Sequence, residues 1–430
     1  MNRLSRPLLS IALVTCGSMV LALFASVAHA ADPVSPAASP VTWKKIVLAD
    51  KFYGEGAAFG DFNHDGVQDV TAAGFWWEGP DFKVRHQFAD YPATDPHNST
   101  KDFLTFTCSL KNDGWDDIII ITGSGADTSW YENPRGTSDG KWVRHKVFND
   151  TEYEAATMWD LFGNGKPVLV CASEGKDPQG ARLGYAQPDY SDPAKAWAWH
   201  PISAHSKKFS PPRHGLGVGD VNGDGRNDIV MADGWLEQPA SVEGDPEWKF
   251  HPAQFFDKGT EEGGGHGNGG AQMFVYDVNG DGRNDVVTSL QSHGYGLAWF
   301  EQKPDGSFEK HLIMGSKASD NAQGVVFSQL HGLTVADIDG DGLPDIITGK
   351  RWWARGPLLD PEPNATPVLY WFQLVRHSDG KADYVAHQID DAGGGSTQIG
   401  AKDIHNDHHP AIVVANKRGI FLYLQETPGK

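Results

Sequence analysis

Asp220, Asn222, Asp224 and Asp228 follow one another at positions one, three, five and nine of a short loop, with Gly225 at position six. The same spacing recurs at Asp61, Asn63, Asp65 and Asp69, at Asp277, Asn279, Asp281 and Asp285, and at Asp337, Asp339, Asp341 and Asp345. Several oxygen donors around one glycine turn are what a hard Ca²⁺ ion requires. An EF-hand would place its last acid at position twelve between two helices. Here position twelve is Ala72, Met231, Thr288 or Thr348, and the flanks are strand-like. Without a cation the clustered acids would repel one another, so these four loops are expected to hold structural Ca²⁺. Degenerate copies begin at Ser109, Asp160 and Asp403 and carry Lys111, Phe162 and His405 at position three. They are expected to bind weakly or not at all.

A second set of residues has a different chemistry. The residue six places before each loop start reads Glu55, Phe103, Glu154, His214, Ala271, His331 and Thr397. Further ionisable or hydrogen-bonding groups, Glu174, Asp233, His293, Tyr295, Lys350 and Arg351, lie after the strand that follows a loop, and His266 lies in a glycine-rich excursion. If these converge, bases, acids and anion stabilisers share one pocket, which suits proton abstraction beside a carbonyl followed by β-elimination. Trp76, Trp77 and Trp235 would offer flat faces to sugar rings. A divalent metal held by His214, His266 and His331 with Glu55 or Glu154 is a variant of the same reading. No G-x-S-x-G elbow is present, so a serine nucleophile has no support.

The elements that would position these residues repeat seven times, with loop starts roughly 57 residues apart, a period of solenoids, propellers or arrays. Each loop leads into a β-rich run such as Ile118-Ile-Ile-Ile121, then an aromatic strand such as Trp299-Phe-Glu301, then an aromatic–x–x–His strand. His86, His145, His200, His251, His311 and His387 occupy that last position and read as structural. Trp352-Trp353 reads as the aromatic strand of the sixth unit. Four short strands per unit predict an all-β, seven-bladed β-propeller. Trp43-Lys-Lys-Ile46 matches the fourth strand, which the last unit lacks, so the N-terminal strand is expected to close the last blade. In such a ring the first strand of each unit lines the channel. The ionisable set then gathers on the face opposite the acidic loops.

The loop motif resembles the FG-GAP/VCBS repeats of integrin-α-like propellers, along the whole chain after its N-terminal segment. His214-Gly-Leu-Gly, Ser292-His-Gly-Tyr295 and Gly349-Lys-Arg-Trp-Trp353 are also similar to segments of the propeller domain of aldos-2-ulose dehydratases. That resemblance implies loss of water from a keto-sugar such as glucosone or 1,5-anhydrofructose, a carbon–oxygen lyase activity. The fungal enzymes carry cupin domains that this chain lacks. The competing expectation is a non-catalytic extracellular propeller that holds a glycan or protein partner.

Composition agrees with an all-β chain. Of 430 residues 50 are Gly and 26 Pro, too many for a helical protein, while 11 % aromatic residues supply a core. The formal charge of −20 argues against nucleic acid as a partner. Arg3 and Arg6 precede an apolar run from Leu8 to Val27 that ends in Ala28-His29-Ala30. This is the form of a Sec signal peptide cleaved after Ala30, so a secreted or periplasmic protein with no membrane attachment after cleavage is expected. The division is then signal 1–30, linker 31–41, propeller 42–425 and tail 426–430. Cleavage leaves Cys108 and Cys171, whose pairing stays open.

Overall fold

The computed structural model describes residues 41–136, 140–209, 213–257, 269–270 and 272–426. The expected signal segment, most of the linker, the end of the tail and His266 lie outside the described residues.

Among the described residues the regular structure is β-strand, apart from two 3₁₀ turns at Lys207–Phe209 and Ala318–Asp320. Ala57–Gly60, Asp69–Ala72, Phe75–Trp77 and Arg85–Gln87 form one antiparallel sheet in chain order. Leu104–Cys108, Asp117–Ile121 and Ala126–Glu132 lead into the long strand Val143–Trp159. That strand also pairs with Val168–Ser173, which continues to Arg182–Gln187 and Ala198–Pro201. Leu216–Gly219, Asp228–Met231, Gly234–Glu237 and Lys249–Pro252 follow, then Gln272–Tyr276, Asp285–Ser289, Leu297–Gln302 and Phe308–Met314. Leu333–Ala336, Asp345–Gly349, Leu369–Arg376 and Ala382–Asp390 make the next sheet. Ile399–Lys402, Ala411–Asn416 and Gly419–Glu426 are completed by the N-terminal strand Thr42–Ala49, with Trp43 opposite Gln425 and Ile46 opposite Leu422. The two ends of the fold are thereby zipped together, and the outer edge of Gly419–Glu426 is covered.

The opening strands touch in a closed circuit. Ala57–Gly60 contacts Leu104–Cys108 on one side and Ile399–Lys402 on the other, and the remaining opening strands continue the circuit between them. This radial arrangement is that of a β-propeller. A narrow cavity of about 40 Å³ runs between them, lined by Leu104, Phe106, Leu216, Met273, Leu333 and Ile399. Gln398 stitches two opening strands by accepting from Thr105 N at 2.8 Å and donating to Thr105 O at 2.8 Å. Gln272 similarly donates to Thr397 O at 3.1 Å and accepts from Leu333 N at 2.9 Å.

Two side-chain devices repeat with the sequence motif. The first uses the acid at position nine of the loop. Asp345 accepts from Ile338 N and Leu374 N, both at 2.9 Å, one on each carboxylate oxygen. Asp69, Asp117, Asp228 and Asp285 make the equivalent pair of bonds. This aspartate therefore staples its loop to the third strand of its own sheet. Position six needs glycine because its φ is positive, +83° at Gly66 and +86° at Gly342. The second device is a His stacked on an aromatic ring one strand inward. His251 lies 3.9 Å from Trp235 with an interplanar angle of 5°, and its Nε2 is 2.7 Å from Glu237 Oε2. His86, His145 and His311 repeat it on Trp76, Trp130 and Trp299, next to Glu78, Glu132 and Glu301.

In the sixth unit the order differs from expectation. Trp352-Trp353 is not the third strand. It opens an excursion, residues 350–367, between Asp345–Gly349 and Leu369–Arg376. Trp371 takes the strand position, stacked on His387 at 4.4 Å. Cys108 and Cys171 are both buried, and no disulfide joins them.

Candidate functional site

Glu154 lies in the long strand Val143–Trp159, whereas His214 and His331 sit two residues before Leu216–Gly219 and Leu333–Ala336. All three therefore reach the same end of the channel. His293 joins them from the turn after Asp285–Ser289. The ligand atoms of these four side chains lie within 4.8 Å of one another. His331 Nε2 is 2.9 Å and His214 Nε2 3.3 Å from the same oxygen, Glu154 Oε2. The three imidazoles stand edge to face, with ring centres 4.9–5.4 Å apart.

Burial sets the charge states here. His214 and His331 are 4 % and 1 % exposed. Burial, reinforced by the Arg351 cation, pushes His331 down to about 4. Burial likewise holds His293 well below its ordinary value. Burial opposes ionisation of Glu154, but the hydrogen bonds from His214 and His331 outweigh it, and its carboxyl stays well below the usual range. Imidazoles around one carboxylate are a divalent-metal donor set. Nδ1 of both His293 and His331 is buried without a hydrogen-bond partner.

Glu55 belongs to a neighbouring pair. Arg351 Nε and Nη2 donate to its two oxygens at 2.9 Å each, with both side chains buried. The same guanidinium lies 5.7 Å from the Phe103 ring, whose edge meets His331 at 6.4 Å. Lys350 is 1 % exposed, donates to Ser328 Oγ at 2.7 Å, and is pushed down to about 8 by burial, against the pull of Glu362 and Asp360. Burial, helped by the nearby Glu362 carboxylate, raises Tyr295 to about 12.

Several expected residues fall elsewhere. Trp76, Trp77 and Trp235 are buried in the sheet packing, and Trp76 and Trp235 are covered by His86 and His251. Their faces are closed to a sugar, because the third strand of each unit packs against the fourth. Glu174 stands apart, 3.7 Å from both Arg182 and His205. Asp233 is half-buried in a turn, its carbonyl accepting from Ala253 N at 3.1 Å. Glu55 is engaged by Arg351 and does not join the histidines. Asp360 and Ser328 escaped the sequence reading because neither occupies a position that repeats.

In the acidic loops, Asp337, Asp339 and Asp341 bring their carboxylates within 4.8 Å of one another. Asp224 and Asp281 are instead paired with Arg226 and Arg283. Asp69, Asp228, Asp285 and Asp345 spend both oxygens on backbone amides.

Residues 277–348 match the family model described as FG-GAP-like repeat. The match covers two full loop motifs, 277–285 and 337–345. The FG-GAP-like repeat is thus present where these two loops stand. No curated protein matches the chain. A lectin of Agrocybe aegerita, described as specifically recognising non-reducing terminal N-acetylglucosamine, aligns over 86 % of this chain and 87 % of its own, at 18 % identity and a TM-score of 0.49. AofleA of Arthrobotrys oligospora aligns over 90 % and 87 %, at 10 % identity and a TM-score of 0.39.

Proposed function

We propose that this chain is a seven-bladed FG-GAP propeller that acts on carbohydrate by metal-assisted elimination, a lyase of the keto-sugar dehydratase kind. The observation that carries this reading is the convergence of Glu154, His214, His293 and His331 within 4.8 Å. In a tetrahedral site with ligand bonds of about 2.0–2.1 Å, donor atoms lie roughly 3.3 Å apart, so small side-chain shifts suffice. The segments that resemble the dehydratase propeller, around His214, His293 to Tyr295 and Lys350-Arg351, are those that supply this end of the channel. That coincidence supports a sugar substrate.

A bound divalent ion would polarise a substrate carbonyl and stabilise the enolate. Lys350, largely neutral above pH 8, takes the proton from the carbon beside the carbonyl. The released electron pair forms the carbon–carbon double bond as the β-hydroxyl departs, protonated, as water. Lys350 passes that proton to the leaving hydroxyl through Ser328, which its Nζ reaches at 2.7 Å, with Tyr295 and Glu362 close by. Arg351, held by Glu55, forms the adjacent wall. Ca²⁺ at the acidic loops has a separate, structural role in this reading.

The test uses the purified mature protein. Stoichiometric Zn²⁺ or another first-row ion should be found by elemental analysis. Incubation with 2-keto-sugars and with uronate polysaccharides should raise ultraviolet absorbance, and metal removal should abolish the rise. If no substrate turns over while a glycan array retains the protein, the channel end is a binding site and the lyase reading is rejected.

A further inference from the structure

We infer that Asp360 is a positioning residue that fixes the tautomer and direction of His293. The inference rests on the metal-centre reading above, but its geometry stands separately. Asp360 has a fully buried side chain within the excursion 350–367. Its Oδ1 accepts from Arg355 Nε at 2.6 Å, and its Oδ2 accepts from Arg355 N at 3.0 Å. The next residue is anchored too: the Pro361 carbonyl accepts from Ser328 Oγ at 2.7 Å and Gln329 Nε2 at 3.3 Å. Ser328 and Gln329 belong to the segment that delivers His331, so the excursion and the histidine group are built on one support.

From this anchored position Asp360 Oδ1 faces His293 Nδ1 at 3.6 Å. That nitrogen has no hydrogen-bond partner, although it is buried. A carboxylate beside Nδ1 draws the ring proton there and leaves the Nε2 lone pair free. The rings of His214 and His331 stand 5.1 and 5.4 Å from that of His293, centre to centre. A carboxylate behind a ligating imidazole orients the ring and raises its basicity. Glu154 lies among the histidines, whereas Asp360 lies behind one of them. Arg355 holds Asp360 in place through its side chain and its backbone amide.

The experiment is nitrogen NMR on the full mature chain with ¹⁵N-labelled histidine, first without metal. The wild-type His293 should carry its proton on Nδ1. In D360N this preference should be lost, and Zn²⁺ affinity, read by chelator competition, should fall about 10–100-fold. The visible bands of the Co²⁺-loaded protein should shift as well. A wild-type His293 protonated on Nε2 overturns the proposal, and this measurement needs no variant to fold. So does a D360N protein with unchanged tautomer and unchanged Zn²⁺ affinity. If the Nδ1–H tautomer is found but the wild type takes up no metal, Asp360 keeps its assignment and the metal-centre reading fails.

Discussion

His331 Nε2 lies 2.9 Å from Glu154 Oε2, although 177 residues separate them in the chain. The contact spans the channel end, and it places an imidazole that is 1 % exposed on a partly buried carboxylate. Such a pair is either a metal-ligand pair or a strong internal hydrogen bond, and substitution separates the two.

Replacing His331 with Ala should remove bound transition metal and abolish turnover. It should also lower stability by about 1–3 kcal/mol, because Glu154 loses one of its two buried partners. Glu154→Gln should keep the shape and still weaken metal retention. Metal content equal to wild type in both proteins would mean that the group is scaffold.

Lys350 sets the pH response. Its ammonium is destabilised by burial, so its value falls from 10.5 to about 8. The neutral amine is the proton acceptor, so the rate should rise as pH passes through about 8 and level off above it. Lys350→Met should leave metal content intact and cut turnover by about 10²–10⁴-fold. A rate that is flat across this range would exclude Lys350 as the base.

The acidic loops contain two kinds of aspartate. Asp345 uses both oxygens on backbone amides of Ile338 and Leu374. Asp345→Ala should therefore cost about 1–3 kcal/mol per amide left unsatisfied, with or without chelator. Asp341 shares a carboxylate cluster with Asp337 and Asp339. Asp341→Ala should lower the melting temperature in Ca²⁺ but leave it unchanged in EDTA. If the wild type melts identically with and without chelator, Ca²⁺ has no structural role.

The stacked histidines should behave as framework. His251→Ala removes a ring in van der Waals contact with Trp235 and a hydrogen bond to Glu237. A loss of about 0.5–3 kcal/mol is expected, with metal content and ligand binding unaffected. Denaturant titration paired with elemental analysis checks this, and loss of metal in His251→Ala would contradict the division into two histidine classes.

Much of the fold is determined locally, and so the sequence by itself determined it. Asp and Gly at fixed offsets close each loop, β-branched and aromatic runs make the strands, and the unmatched strand at Trp43 pairs with the last sheet. The repeat also separated His251 and its equivalents from His214 and His331, because equivalent positions in a radial fold share a radius. What only the tertiary structure decided is which ionisable groups meet. Glu55 and Glu154 occupy equivalent sequence positions, yet Arg351 from a distant turn claims the first and leaves the second to the histidines. The Trp faces looked open in sequence and are closed by the strand that packs on them. Asp360 was invisible for the same reason: it sits in an excursion that occurs once. Its role depends on what stands 3.6 Å away, and a contact between residues far apart in the chain is fixed by packing, not by spacing.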